Sequence, residues 1–180
     1  MILKDLNKPL QANEIDFRIQ SINKGGYAII LAYKDARVDM NRLDEIVGPL
    51  NWKREHLNGN CNCIVSIWND ETKQWVGKED VGTESSAEKV KGLASDSFKR
   101  ACFNWGIGRE LYDYPLIQIK LNSDEFEVQS DGKVKQTWNL KLKEWKWYNE
   151  FNEDGELVRL ACKDNKGSVR IDWKHESYKK

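Results

Sequence analysis

Histidine is scarce in this chain, and so are the cysteine spacings that hold metals. The 180 residues contain two histidines, His56 and His175, and four cysteines, Cys61, Cys63, Cys102 and Cys162, with no C-x-x-C pair. A four-ligand zinc site is therefore not expected. Cys61 and Cys63 stand two apart in a run that continues to Val65 and Ile67. On a strand all four would share one face, which reads as buried thiols serving as small apolar groups. The sequence has no P-loop, no dinucleotide-binding glycine fingerprint, no H-E-x-x-H and no G-x-S-x-G. With so few histidines a catalytic triad is not expected either. Glu79 and Asp80 are the carboxylates a nuclease-like magnesium site would use, but neighbours on a strand point to opposite faces and cannot share an ion. The chain reads as a non-enzyme with no metal and no cofactor.

Long apolar runs are missing as well. The longest, Tyr27–Tyr33, stops at Lys34, far short of the roughly 20 residues that a membrane helix needs. Residues 1–13 carry charges and a proline without an apolar core, so no secretory signal is expected and the location expected is cytoplasmic. Net charge is absent too, since 29 basic side chains balance 29 acidic ones. This disfavours a polyanion partner globally, but a local basic surface suffices for phosphate binding, so the distribution decides.

What is present is a globular composition: 39% hydrophobic, 32% charged and 11% aromatic, with eight tryptophans. Strand-type runs at 16–22 and 27–33 flank Asn23-Lys24-Gly25-Gly26, a hairpin signal. Met40, Leu43 and Val47 recur at helical spacing over 36–47, and Gly48-Pro49 stops that helix. Runs at 52–57, 61–68 and 74–82 form an antiparallel meander. A long amphipathic helix is expected over 86–105, opened by a Ser85/Glu88 capping box and carrying Ala87, Val90, Ala94, Phe98, Ala101 and Trp105 on its apolar side. Strands follow at 116–121, 137–142, 145–151, 157–162 and 168–173, and the polar segment 123–136 reads as a mobile loop. The expected architecture is α+β: antiparallel hairpins and a meander packed on a long helix, a β-β-β-α core. Its parts are an N-terminal arm at 1–13, a core at 14–115 and a β-rich appendage at 116–180.

The neutral total conceals a local excess. Between residues 86 and 109 the basic residues Lys89, Lys91, Lys99, Arg100 and Arg109 outnumber Glu88 and Asp96 by five to two. At about 100° per residue, Lys89, Asp96, Lys99, Arg100 and Phe103 fall opposite the apolar side. Phe103 is the anomaly there. An aromatic beside two cations suits a single nucleic-acid strand, whose bases stack while its phosphates meet the charges. It equally suits packing against another element or subunit. A second basic stretch, Lys141, Lys143 and Lys146, alternates with Leu140, Leu142, Trp145 and Trp147, a pattern of nucleic-acid surface or of an ordinary half-buried strand.

A set of residues in order resembles the Rad-fifty-two single-strand annealing proteins, in particular their short phage-borne versions. The set is Arg37-Val38, a helix ending at Gly48, Trp52, Glu79-Asp80-Val81-Gly82, Asp96-Ser97-Phe98-Lys99-Arg100-Ala101, Trp105-Gly106 and Gly108-Arg109-Glu110-Leu111-Tyr112. It covers residues 15–115. The resemblance implies a protein of phage-type recombination and DNA repair that coats single-stranded DNA and anneals complementary strands without ATP, as an oligomeric ring or helical assembly with a groove for the strand. Its groove residues correspond to Arg37, Lys99 and Arg100, with Lys91 on the same helix. Where eukaryotic members carry a further basic residue, this chain has Phe103. A second DNA contact region falls near Lys73 and Lys78, and a second site leaves double-stranded DNA open as a partner. The alternative reading from the residues alone is a structural or protein-interaction module with no nucleic-acid role.

Overall fold

The computed structural model describes residues 3–83 and 89–178, the side chains of 3 and 89–91 excepted. In chain order the elements are β1 (Asp16–Ile22), β2 (Tyr27–Tyr33), α1 (Ala36–Val47), β3 (Trp52–Leu57), β4 (Asn62–Asn69), β5 (Gln74–Val81), α2 (Lys89–Asn104), β6 (Ile117–Lys120), β7 (Phe126–Val128), β8 (Val134–Gln136), β9 (Lys146–Phe151), β10 (Leu157–Lys163) and β11 (Val169–Lys174). The fold is α+β with antiparallel sheets. Ser85 and Glu88, the expected capping box, lie outside the described residues.

The chain forms two compact units. The first comprises residues 1–9 and 34–109. Its sheet has the order β3-β4-β5, the expected meander, and alternation along β4 drives Cys63, Val65 and Ile67 into the core. They meet Leu43 and Val47 of α1, Phe98, Ala101 and Cys102 of α2, and Leu6 of the N-terminal arm. Each such aliphatic or aromatic side chain stabilises the fold by about 1.5–3 kcal/mol on burial. Asp35 caps α1 by accepting the Arg37 backbone N–H at 2.8 Å, and Gly48 ends it at φ 88°, a left-handed turn that favours glycine. Gly82 has a different reason to be glycine. A Cβ there would stand 2.6 Å from the Ser97 backbone nitrogen, so only a bare backbone lets the end of β5 approach α2 so closely.

The second unit comprises residues 10–33 and 110–180. The β1–β2 hairpin pairs through β2 with β6, from Tyr27 opposite Lys120 to Ile30 opposite Ile117. Grouping by chain order sets this hairpin with residues 14–115, whereas its hydrogen bonds join it to the C-terminal strands. A second sheet has the order β11-β10-β9. Ala28, Ile30, Ile117, Ile119, Leu160 and Trp145 are buried together, and Phe17 stacks on Trp147 with centroids 3.7 Å apart. A buried ionic knot adds Arg170 to Glu125 at 2.7 Å and to Asp164 at 3.3 Å.

Two expectations change here. The segment 123–136 is not a featureless loop, because β7 and β8 pair within it as a hairpin. The strand expected over 137–142 is instead a turn leading into a short 3-10 segment at Leu142–Glu144, and the next strand starts only at Lys146. Leu140 and Trp145 are both buried, and a five-residue spacing puts side chains on opposite faces of a strand. A tight turn lets both point inward. Among the described residues no helix is long and apolar enough to cross a membrane.

Candidate nucleic-acid interface

Two of the cations singled out in sequence, Arg37 and Lys99, flank Asp35 where the start of α1 meets the second half of α2. Arg37 lies in the first turn of α1, its side chain 80% exposed, with Nε donating to Asp35 Oδ1 at 2.8 Å. The Arg37 guanidinium holds Asp35 below the usual carboxylate range, and Lys99 adds to this through its charge. Arg37 and Lys99 therefore share one acidic neighbour. Arg100, one residue along α2, turns the other way, and its Nε reaches Asp80 Oδ1 on β5 at 3.3 Å. Asn104 joins that side by donating to the Glu79 carbonyl at 2.9 Å. Lys99 and Arg100 thus straddle α2 rather than lying side by side, as the 100° step requires. Neither is fully solvated, since both are half-buried.

Phe103 covers a buried charge. The Lys34 ammonium lies 4.2 Å from the Phe103 ring centroid, and the lysine side chain is 1% exposed. It pairs with Asp39, which is 0% exposed, and donates to the Ile107 carbonyl at 2.6 Å. The half-buried ring lies against the buried Lys34 ammonium, so Phe103 packs within its own unit. Lys34 and Asp39 lie beneath the surface rather than on it. A lysine at the end of a strand run carries no sequence signal of burial, because its partner and its cover come from other elements.

Burial pushes the Asp39 carboxyl up to about 6 despite Lys34 beside it. A raised carboxyl favours the protonated fold, so this contribution is fully present below the ordinary value of 3.8 and is lost as pH rises through about 6. Burial lowers His56, which acts in the opposite sense as pH falls below 6.5, so a variant comparison is needed. Melting of wild type and Asp39→Asn between pH 4 and 7 is expected to show the wild type losing stability relative to the variant as pH rises, because the lowered groups contribute equally to both. Parallel curves would remove Asp39 as its source.

Lys78 and Arg109 cap the C-terminus of α2. Lys78 donates to the Asn104 carbonyl at 2.7 Å and lies 4.4 Å over the Trp105 ring. The Arg109 guanidinium donates to the Phe103 carbonyl at 2.8 Å. Cations at this end complement the helix dipole. Lys73 sits at the β4–β5 turn with φ 52°, ion-paired to Asp70 at 3.4 Å. The side chain of Lys91 lies outside the described residues.

His56 does lie near nucleophile-type groups, which the sequence did not anticipate. Its ring nitrogens stand 3.5 Å from Ser97 Oγ and 4.0 Å from Cys63 Sγ. Both partners are fully buried. Ser97 donates to the Asn60 carbonyl at 3.0 Å, and burial pushes the Cys63 thiol up to about 11. A protonated, enclosed thiol is a poor nucleophile. The trio ties β3 and β4 to α2. Among the described residues no three His, Cys, Asp or Glu side chains are placed to hold a metal ion.

The fold and this surface define a small α+β module that carries its cations along and beside one helix. No family model matches the chain, and no solved structure matches it significantly. Two curated proteins are similar to it, both named single-stranded DNA-binding protein DdrA. The one from Deinococcus radiodurans is 32% identical over 117 residues, covering 63% of this chain and 56% of the relative. The one from Deinococcus deserti is 32% identical over 132 residues, covering 72% of this chain and 65% of the relative. The chain thus spans 56% and 65% of the curated relatives it matches.

Proposed function

We propose that this chain binds single-stranded DNA at the α1–α2 junction and, as a homo-oligomer, lets complementary strands anneal without nucleotide hydrolysis, in recombination or repair of DNA in a bacterial cytoplasm. The observation that carries the reading is Arg37 and Lys99 about Asp35, with Arg100 on the β5 side of the same helix, in a chain of zero net charge. The names of the two Deinococcus relatives support the ligand, and the ordered resemblance to Rad-fifty-two annealing proteins supports the annealing step. The phosphate contacts would be non-specific, which suits a protein that must release mismatched strands. Each cation has an acidic neighbour, Asp35 or Asp80, so a phosphate replaces a carboxylate instead of meeting a bare charge. This keeps affinity per nucleotide modest. Strands β3 and β5 each have one partner within their sheet, and such edges support repetition of the site by pairing with a second copy.

A salt titration tests the reading. With three phosphates engaged per subunit, log affinity for an unstructured oligonucleotide is expected to fall with log salt at a slope of about −2, from roughly 0.7 per phosphate on single strands. Binding that is absent at low salt, or that does not respond to salt, would overturn it in favour of a protein-contact module.

A further inference from the structure

The second unit carries a groove that the α1–α2 surface does not explain. About 810 Å³ in volume, it runs between β1, from Phe17 to Ile22, and the segment from Val134 to Glu144. Four of its lining residues are cationic, Arg18, Lys135, Lys141 and Lys143, against Glu144 as the one acid among them. Most of the chain's charge is balanced, so this imbalance is local and is as strong as that around α2. On the rim stands Trp138, 85% exposed, with the Lys141 ammonium 3.5 Å from its ring centroid.

An indole left in water forgoes a large hydrophobic gain, and here its two chain neighbours hold it there. Thr137 on one side donates its N–H to the Glu125 carbonyl at 2.9 Å and its hydroxyl to the Asp124 carbonyl at 2.5 Å. Asn139 on the other side donates to the same Asp124 carbonyl at 3.3 Å. The ring is thus presented by a pinned turn, with a lysine against it and further cations lining the groove. An aromatic face flanked by cations along an open groove is complementary to a flexible polyanion with planar bases. A duplex keeps its bases stacked on one another and has none to offer the indole.

We propose that this groove is a second site for single-stranded nucleic acid, with a base stacked on Trp138 and phosphates met by Arg18, Lys135, Lys141 and Lys143. The inference takes its ligand class from the single-strand reading above but stands on different residues in a different unit. Two strands held by one chain, one in each unit, is an arrangement that annealing can use directly.

The test uses the full chain with a labelled oligothymidylate, in wild type, Trp138→Ala, Trp138→Phe and Lys99→Ala/Arg100→Ala. Trp138→Ala is expected to weaken binding about 5- to 150-fold, the range for one lost base stack, while Trp138→Phe stays within about threefold. In the wild type, an oligonucleotide carrying 5-iodouracil is expected to crosslink at Trp138 on irradiation. Wild-type affinity in Trp138→Ala, together with no crosslink between residues 134 and 144, would overturn the groove; a loss in Lys99→Ala/Arg100→Ala would then leave the α1–α2 reading standing. A wild type that binds no single strand at any salt would instead bring down that reading itself. Equal competition by duplex DNA, or by polyglutamate as an acidic-peptide probe, would also overturn the groove's assignment, because neither offers a base to the indole.

Discussion

Replacing Lys99 and Arg100 together by alanine is expected to lower affinity for single-stranded DNA roughly 100-fold at moderate salt. That figure takes about 1.5 kcal/mol, the lower end of the range, for each charged hydrogen bond to a phosphate. The salt slope should flatten by about 1.4, twice the single-strand increment. Fold stability should hardly move. Arg100 and Asp80 are 40% and 24% exposed, and an ion pair so open to solvent contributes about 0–1 kcal/mol. The measurement is an anisotropy titration at two salt concentrations alongside a thermal melt. An unchanged affinity with a normal melt would remove the site from α2. An unchanged slope with weakened binding would show that the two residues act through structure rather than through phosphates.

The second large effect lies beneath that surface. Lys34→Met removes the cation from a pair that is 1% and 0% exposed, leaving Asp39 buried without its partner. Breaking such a pair by deleting one member costs about 3–5 kcal/mol. The penalty should be greater at pH 8 than at pH 5, because burial already pushes the Asp39 carboxyl up to about 6 and a proton can replace the lost lysine. Lys34→Met/Asp39→Leu should recover most of the loss, since two apolar groups of similar size leave no stranded charge. Equilibrium denaturation of the three proteins at both pH values decides this. A single variant as stable as wild type at pH 8 would mean that the pair contributes nothing. The double variant also tests Phe103, whose ring lies against the Lys34 ammonium. If the ring's position matters for the strand, Lys34→Met/Asp39→Leu should bind DNA more weakly although it folds.

Much of the local structure was legible in the chain order of residues. The hairpin signal at Asn23-Lys24-Gly25-Gly26, the helix over 36–47 and the meander from Trp52 to Val81 all have their causes within a few residues: turn glycines, a capping aspartate, period-two alternation. Cys63, Val65 and Ile67 were legible as one buried face for the same reason, whereas Cys61, expected with them, lies in the turn before β4 and is only half-buried. Misreadings cluster where burial is set by distant elements. The alternation of lysine and apolar residues from 140 to 147 imitates a strand, yet Leu140 and Trp145 are buried through a turn. Segment 123–136 is polar enough for a loop, yet β7 and β8 pair along their backbones, which composition does not encode.

The candidate site divides in the same way. Arg37, Lys99 and Arg100 were identifiable from their order and from the local charge excess, because charge is carried by residue type. Which neighbour each one meets was not. Helical geometry implied that Lys99 and Arg100 diverge by about 100°, but only the packing of α2 between α1 and β5 places Asp35 beside one and Asp80 beside the other. Lys78 reads as one more free cation until the end of α2 is found beneath it.

The sequence by itself determined the α+β class, the antiparallel hairpin and meander, the two helices and the residues that carry the charge, because each follows from propensity, periodicity or side-chain chemistry within a short window. Only the tertiary structure decided that the first hairpin pairs with β6, that Lys34 and Asp39 are buried as a pair with Phe103 against the lysine, and that Trp138 is held open above a cationic groove. Those outcomes depend on contacts between residues far apart in the chain, where the free energy of burying or exposing a group is set by whatever the fold brings against it.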